Sequence, residues 1–259
     1  MMRRALIGHT GFVGSNLDRQ QHFTDHFNSG NFRQIAGQNF DEVVCAGVQA
    51  VKWWANRNPE ADWAGIAPLL EVLETAQIRR FVLISTVDVY RVPLGVDENT
   101  AIHTDGLHAY GRHRWRVEEW VRGRIPDHLI VRLPGLFGPG LKKNLIFDLL
   151  AGRSVDGFDE RSTFQFYSLD RLSGDLNLAA NTGLHTVNFA VPPVTVADVA
   201  NRVAGMSFAN RTANHPVHYD MQTLHAGAWG RSGAYIETAE SCLDAIEAFA
   251  RSWQPEDAP

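Results

Sequence analysis

Short apolar runs alternate with amphipathic stretches through the first two-thirds of the chain. Arg3–Gly8 and Arg80–Thr86 contain continuous apolar runs, which are typical of buried parallel strands. In Pro59–Gln77, by contrast, apolar residues from Ile66 to Leu73 recur at helical spacing. This alternation predicts an α/β fold built on a doubly wound parallel sheet with helices on both faces.

The same criteria predict the remaining elements, and the pattern weakens after about Pro134. Asn31–Phe40 allows only one or two helical turns. Further strands are predicted at His22–Phe27, Glu42–Ala46 and Leu129–Leu133, and further helices at Phe12–Gln20, Tyr110–Arg124, Thr195–Ala204 and Glu237–Trp253.

Composition and charge exclude several classes of protein. The 259 residues carry a net charge of −5, with 44% hydrophobic and 20% charged residues, as expected of a globular chain and not of a disordered one. A pI near 6.1 argues against general affinity for nucleic acid or an anionic membrane. No apolar run approaches the roughly 18 residues needed to span a bilayer, so we expect no membrane association.

Cysteine and histidine usage indicates a reducing compartment and no metal. Cys45 and Cys242 form neither a disulfide framework nor a zinc cluster, and the eleven histidines lack zinc-site spacing. The apolar stretch after Arg3 and Arg4 is too short for an export signal. We therefore expect the chain to begin at or near Met1 and the protein to be cytoplasmic.

A glycine-rich loop follows the first predicted strand. In such loops one glycine makes the tight turn, another lets backbone amides approach a pyrophosphate, and a third allows close helix–strand packing. The N-terminus of the following helix attracts the anion. The loop predicts a dinucleotide cofactor in a Rossmann-type fold, and the alternative is a tight turn without a ligand. It fits the pattern G-x-x-G-x-x-G and reads Gly8-His9-Thr10-Gly11-Phe12-Val13-Gly14.

The tip of the second predicted strand favours NADP over NAD. Sites that select NAD usually place an acid at this tip, whereas NADP sites supply polar or basic groups. Here the strand runs into Asn28 and Ser29, with Arg33 close by. Because asparagine and serine are also common in turns, a purely structural role stays open. The expected cofactor is NAD or NADP, with a lean to NADP.

Several further motifs follow in a fixed order. They are Ala46-Gly47, Ser85-Thr86-Val87-Asp88-Val89-Tyr90, Asp97-Glu98-Asn99-Thr100, Tyr110-Gly111-Arg112-His113-Arg114 and Arg132-Leu133-Pro134-Gly135-Leu136-Phe137-Gly138-Pro139. With the glycine loop they resemble the extended short-chain dehydrogenase/reductase family, also called the NAD-dependent epimerase/dehydratase family. The resemblance covers most of the chain. It implies a Rossmann domain over residues 1–165 and a small substrate-binding part over 166–259, partly interwoven with the Rossmann core.

The resemblance also implies the site residues. Catalytic residues are expected at Thr86, Asp88, Tyr110 and Arg114, and substrate contacts at Asp88 and Asn144. Lys142 and Lys143 beside Asn144 either meet a phosphate or form a solvated surface. No metal ligands are expected. Cofactor contacts are expected from Gly8, Thr10, Gly11, Phe12, Val13, Gly14, Asn28, Ser29, Ala46, Gly47, Tyr110, Arg114 and Pro134.

Thr86 and Tyr110 suit the oxidation of an alcohol. The reaction removes a hydride from carbon and a proton from oxygen, and a phenol with a pKa near 10 is a poor base at pH 7. A fixed cation and a nearby nicotinamide charge would favour the phenolate, while the Thr86 hydroxyl would hold the substrate oxygen. The alternatives are a polar strand end for Thr86 and a half-buried helical aromatic for Tyr110.

Arg114 departs from the family pattern, which has lysine four residues after the tyrosine. Positions i and i+4 share a helix face, so Arg114 can present its charge beside Tyr110. A planar guanidinium nevertheless does not replace a compact ammonium. Either the enzyme is active with an adapted site, and Arg114→Lys keeps or raises activity, or a nucleotide-binding module remains. His113 is expected at the surface.

In dehydratases of the family the stretch that matches Thr86-Val87-Asp88 reads Thr-Asp-Glu, so Asp88 stands at the position of the second acid. Because the first acid is missing here, a standard 4,6-dehydratase is disfavoured, and Asp88 is either a substrate-contacting acid or base or a loop cap. The overall expectation is an NAD(P)-dependent oxidoreductase or epimerase acting on a hydroxyl or keto group of a sugar or nucleotide-sugar. The alternative is a non-catalytic NAD(P)-binding sensor or scaffold. A homodimer through the faces of Pro59–Gln77 and Tyr110–Arg124 is expected by analogy with the family.

Overall fold

The computed structural model describes residues 2–254. Its strands are β1 (Arg4–Ile7), β2 (Asp25–Phe27), β3 (Asn39–Cys45), β4 (Gln77–Thr86), β5 (Leu94–Val96), β6 (His128–Leu133), β7 (Gly135–Phe137), β8 (Thr163–Phe164), β9 (Phe166–Ser168), β10 (Thr186–Asn188), β11 (Val194–Thr195) and β12 (Asp220–Met221). Its helices are α1 (Phe12–Gln20), α2 (Lys52–Arg57), α3 (Pro59–Leu73), α4 (Ala109–Arg124), α5 (Leu145–Leu150), α6 (Leu172–Asn181), α7 (Val196–Ala204) and α8 (Ala239–Ser252).

A six-stranded sheet organises the N-terminal part of the fold. Its strand order is β10-β6-β4-β3-β1-β2, so the chain starts near one side of the sheet and winds outward in both directions. β1 pairs in parallel with β2 and β3, and β3 pairs in parallel with β4. The predicted α/β class with a doubly wound parallel sheet is confirmed.

Helices α3 and α4 pack their apolar faces on this sheet. The predicted stripe from Ile66 to Leu73 is buried, as are Val117 and Val121 of α4. They share one core cluster with β1, β3 and β4 residues such as Val43. The two helices therefore pack against the centre of the sheet, and polar residues stand at the ends of its strands.

The region between β3 and β4 differs from the sequence-based prediction in two ways. The helix predicted to reach Gln77 ends at Leu73, because Gln77 and Ile78 pair with Asn39 and Phe40 of β3 and extend β4 towards the N-terminus. Helix α2, which was not predicted, begins at Lys52. In both places pairing or packing with distant residues decided a structure that local spacing left ambiguous.

The chain divides into two compact units. Unit 1 comprises the described residues up to Val92, Thr100–Arg132 and Asp175–Val187. Unit 2 comprises Pro93–Asn99 and Leu133–Gly174, with the described residues from 188 onwards. The chain passes between the units at several points, none of them at residue 165. The predicted parts, 1–165 and the partly interwoven 166–259, stay a prediction.

Unit 2 contains short strand pairs and capped helices. β7 pairs with β9 and β5 with β12, both in parallel, whereas β8 and β11 are antiparallel. Thr195 and Thr238 begin α7 and α8 with reciprocal capping boxes. Of the terminal helix stripe predicted from sequence, Ile246 and Phe249 are buried and Leu243 is half-buried.

Two kinds of feature are absent from residues 2–254. No helix there is both long enough and apolar enough to cross a membrane. No group of three or more histidine, cysteine or acidic residues in that range could hold a metal ion.

Candidate active site in unit 1

The glycine loop brings three backbone segments into contact. Gly8 has a φ of +88°, and a Cβ there would lie 2.6 Å from the Ala46 carbonyl carbon. A Cβ on Gly14 would lie 2.1 Å from the Gly8 oxygen. Only glycine allows β1, the first turn of α1 and the segment after β3 to approach this closely. Gly11 precedes α1, whose N-terminus has no side-chain cap and no acid in its first turn.

The tip of β2 carries a turn held by asparagine side chains. Asn28 Oδ1 accepts from the Gly30 N–H at 2.8 Å, and Asn31 Oδ1 accepts from the Asn28 N–H at 2.7 Å. Asn28 Nδ2 lies 3.3 Å from Nε2 of His9 in the glycine loop. Asn28 thus acts as a turn residue and also adjoins the predicted cofactor loop. Arg33 is exposed beyond the turn.

Thr86 ends β4 at the carboxyl edge of the sheet. Its Oγ1 accepts from the Asp88 N–H at 3.2 Å and caps the single 3₁₀ turn over Val87–Val89. Asp88 Oδ1 lies 2.6 Å from Lys52 Nζ and 3.9 Å from His108 Nε2. The structure therefore places Asp88 in an ion pair with α2, which the sequence did not predict.

Tyr110 stands in the first turn of α4 and is 8% exposed. Its N–H donates to Asn56 Oδ1 of α2 at 3.0 Å, which fixes the start of the helix. Burial raises the pKa of Tyr110 above its usual value, and the Asp88 charge raises it further. The Arg114 charge, a hydrogen bond from Thr86 and the Lys52 charge act in the opposite direction on that pKa. Thr86 and Tyr110 are thus brought together, as predicted from the sequence.

Gly111 lets the Asp88 turn touch α4, because a Cβ there would lie 2.0 Å from the Asp88 carbonyl oxygen. Gly111→Ala should therefore displace Asp88 and weaken both stability and any substrate turnover. Gly123→Ala is the matched control, since Gly123 lies in the same helix with nothing within 4 Å of the added methyl. There the change should stabilise by about 0.5–1 kcal/mol. Equal effects of the two substitutions on denaturant midpoints would contradict the close approach.

Arg114 is buried and held by an acid from α3. Its Nη1 and Nη2 lie 2.5 and 3.0 Å from the two carboxylate oxygens of Asp62, and Nη2 also donates to the Gln49 carbonyl oxygen. The guanidinium carbon lies 4.0 Å above the Tyr110 ring centroid. The charge beside Tyr110 is present, as predicted, but Asp62 compensates it.

This geometry corrects one sequence-based expectation and bears on another. His113, expected at the surface, is buried and lies 2.7 Å from Asp62 Oδ2, because α3 covers that side of α4. That Arg114→Lys keeps or raises activity stays a prediction. An ammonium is a compact point charge without the planar fork that binds both Asp62 oxygens, so this substitution should also weaken the α3–α4 contact.

A model of the NAD dependent epimerase/dehydratase family matches residues 18–153, slightly more than half of the 259-residue chain. The chain belongs to this family. The match begins after the glycine loop, so the evidence for the loop as a cofactor site is its own sequence and geometry. The sequence matches no curated protein.

Solved structures of low sequence identity share the fold. They include UDP-N-acetylglucosamine 4-epimerase from Methanobrevibacter ruminantium (12% identity, TM-score 0.75, covering 96% of this chain and 97% of that one). Others are WbmG from Bordetella bronchiseptica in complex with NAD and UDP (14%, 0.74, 97% and 94%) and RMD from Pseudomonas aeruginosa with NADPH (17%, 0.73, 97% and 99%).

NAD(P) is the cofactor class of this epimerase/dehydratase family, and unit 1 fits it. The positive φ of Gly8 and the close approach of Gly14 to the Gly8 carbonyl hold the glycine loop tightly against the N-terminus of α1. Arg114 Nε is a buried donor without a hydrogen-bond partner in the part of the chain that the structure describes. A helix N-terminus without a side-chain cap or an acid in its first turn, as in α1, is a general site for phosphate groups.

Asn144 and Pro134, predicted from the sequence as site residues, lie in unit 2. Asn144 has a φ of +133°, accepts from the Phe147 N–H at 3.1 Å and donates to the Leu136 carbonyl at 2.9 Å. Its amide therefore caps α5. Pro134 is buried between β6 and β7. Their predicted contacts with substrate and cofactor stay predictions.

Sequence reasoning missed Lys52 and Asp62, which reach the site from α2 and α3. A signal for Asp62 was available, because it stands four residues before Ile66 and continues the apolar stripe of α3. A charged residue in line with a buried stripe needs a partner. For Lys52 no local pattern exists, since its contact with Asp88 joins residues 36 positions apart.

Proposed function

We propose that this protein is an NAD(P)-dependent oxidoreductase or epimerase-type enzyme that acts on a hydroxyl or keto group of a sugar or nucleotide-sugar. The observation that carries the proposal is the pairing of Thr86 with Tyr110 at the end of β4, in the same unit as the glycine loop. Residues Gly8–Gly14, Asn28, Ser29, Ala46, Gly47 and Pro134, with Tyr110 and Arg114, would hold the cofactor.

The chain's own residues supply the proton chemistry of the proposed reaction. NAD(P) held by these residues would supply the hydride acceptor for oxidation of the substrate carbon and the hydride donor for its reduction. Thr86 orients the substrate oxygen, and Tyr110 takes the proton from that oxygen in oxidation and gives it back in reduction. Arg114 supplies a fixed positive charge beside the Tyr110 ring.

The raised pKa of Tyr110 sets the expected pH dependence. Because burial favours the neutral phenol, Tyr110 carries its proton throughout the neutral range in the absence of cofactor. Reduction, which needs a proton donor, is therefore supported at neutral pH and should fall as pH rises through the Tyr110 pKa. Oxidation, which needs the phenolate, should increase with pH over the same range.

The substrate class rests on family membership and on the neighbours in fold. Several of those neighbours are named for UDP-sugars, among them a UDP-glucose 4-epimerase from Thermotoga maritima. The substrate contacts predicted from the sequence, Asp88 in unit 1 and Asn144 in unit 2, are part of this proposal. A homodimer through α3 and α4 and a cytoplasmic location belong to the same proposal.

NADP is the cofactor that the β2 tip favours. Asn28 and Ser29 follow the strand where an NAD-selective site would carry an acid. His9 and Arg33 add groups that can carry positive charge near that tip.

Thermal-shift measurements with NAD, NADP, their reduced forms and common nucleotide-sugars test the proposal. A ligand at 100 times its dissociation constant stabilises by about 2.7 kcal/mol. We expect stabilisation by NADP that exceeds that by NAD, and a further increase with one nucleotide-sugar. The absence of a shift with any nicotinamide nucleotide would contradict the proposal.

A non-catalytic NAD(P)-binding sensor or scaffold is the second candidate, and one observation favours it. Asp62 compensates the Arg114 charge, so less positive charge is available to stabilise a Tyr110 phenolate. Tight NADP binding without hydride transfer to or from any sugar nucleotide would favour this candidate over the enzyme.

A further inference from the structure

A second ion pair lies beside Tyr110 and differs from the buried pair of Arg114. Lys52 Nζ lies 2.6 Å from Asp88 Oδ1, and the two side chains are 41% and 17% exposed. The Arg114 and Asp62 side chains, in contrast, are 5% and 1% exposed. The Arg114–Asp62 pair is therefore part of the core, whereas the Lys52–Asp88 pair is partly exposed to solvent.

Helix α2 is oriented by two polar contacts with the site. Lys52 and Asn56 stand one helical turn apart and so share a face. Lys52 binds Asp88, and Asn56 accepts from the Tyr110 N–H at 3.0 Å. Because one helix face contacts both the Asp88 turn and the start of α4, the Lys52 contact is part of a built surface and not an isolated ion pair.

The choice of lysine at this position stands out in the composition. The sequence has three lysines among its 24 lysine and arginine residues: Lys52, Lys142 and Lys143. Lys52 is thus the single lysine of unit 1. Lysine offers a compact, mobile ammonium, whereas arginine offers a rigid planar fork.

We propose that Lys52 is a positioning residue of this active site, whose ammonium binds the Asp88 carboxylate and compensates its charge beside Tyr110. The inference rests on the proposed function for its relevance to catalysis. Lys52 thereby adds positive charge beside Tyr110, where the charge of Arg114 is compensated by Asp62.

The charged and titratable groups that the structure describes beside Asp88 are consistent with this role. His108 precedes α4; its Nδ1 accepts from the Gly111 N–H at 3.0 Å, so Nε2 carries the proton towards Asp88. Burial, with the Lys52 charge, lowers the pKa of His108, so the ring is neutral near pH 7. Arg114 is bound to Asp62, which His113 also contacts. The cation in direct contact with the Asp88 carboxylate is therefore Lys52.

The pair predicts opposite effects of its two members on the Tyr110 pKa. Lys52→Met leaves Asp88 uncompensated and should raise that pKa, whereas Asp88→Asn leaves Lys52 uncompensated and should lower it. The double variant should return close to the wild-type value. A purely structural role of either residue would not produce shifts of opposite sign that cancel.

Fluorotyrosine placed at position 110 gives the readout, because its phenol is more acidic than that of tyrosine and its fluorine signal reports ionisation. The titration uses the full chain without substrate, so it stands whether or not hydride transfer is found. Lys52→Arg should retain the wild-type titration, and Lys142→Met, a lysine change in unit 2, is the matched control. Shifts of the same sign in Lys52→Met and Asp88→Asn, or no shift in either, would overturn the inference. If Lys52→Met fails to fold, Lys52→Gln replaces it with the same expectation.

Discussion

Replacing Tyr110 with phenylalanine should lower turnover by about 10²–10⁴-fold, the range that general acid–base groups contribute. The substitution removes only the hydroxyl that exchanges the proton with the substrate oxygen. Tyr110 holds the start of α4 through its backbone N–H, which donates to Asn56, and phenylalanine keeps this contact. The fold and the affinity for NAD(P) should therefore be retained.

The control for this variant is Tyr219→Phe. Tyr219 lies in unit 2 and stacks on Phe164, with ring centroids 5.9 Å apart. The same chemical change there should leave turnover close to wild type. Steady-state assays with calorimetric cofactor binding compare the two variants. Wild-type turnover in Tyr110→Phe would assign the proton transfer to another group, whereas loss of cofactor binding would show that the Tyr110 hydroxyl serves to hold the cofactor rather than to transfer the proton.

Glu118→Gln should produce the largest loss of stability. Glu118 is fully buried on α4, and its carboxylate accepts from Arg132 Nη2 at 2.7 Å and from Ser85 Oγ at 2.5 Å. Arg132 is 2% exposed and also donates to the Tyr90 hydroxyl. Removing the negative charge leaves a buried guanidinium without its counterion, which costs about 3–5 kcal/mol. Because Ser85 precedes Thr86, the end of β4 should loosen as well.

The neighbouring acid provides a matched control for this loss. Glu119 is 54% exposed in side chain and pairs with Arg122 on the surface of α4. Glu119→Gln should change the free energy of unfolding by no more than about 0.5 kcal/mol. Urea titrations of the two variants measure the difference. A Glu118→Gln variant as stable as Glu119→Gln would show that the buried cluster does not hold α4 against β4 and β6.

The sheet could be predicted from the sequence because its signals are local. Continuous apolar runs such as Phe81–Ile84 mark central strands, and helical spacing marks α3 and α4. The glycine loop was predictable for the same reason, since the spacing of Gly8, Gly11 and Gly14 reports a backbone approach that side chains would prevent.

The contacts around Tyr110 were less predictable because they join distant positions. Arg114 was expected to present its charge beside Tyr110, but its partner Asp62 lies 52 residues away in sequence and nothing in the α4 sequence reports it. Helix α2 is six residues long and lacks an amphipathic repeat, so no local pattern predicts it. Its position depends on the contact between Asn56 and Tyr110, which lie far apart in sequence. The sequence therefore identified the candidate reacting groups and missed the groups that compensate their charges.

Hydride transfer in a single turnover tests the central claim most directly. The wild-type protein, loaded with oxidised NADP or NAD, is mixed with UDP-, dTDP- and GDP-sugars, and the absorbance of the reduced nicotinamide is followed. The account predicts that at least one sugar nucleotide produces reduced cofactor, and that Tyr110→Phe loses this signal while still binding the nucleotide. Tight cofactor binding with no hydride transfer to or from any of the sugar nucleotides would contradict it.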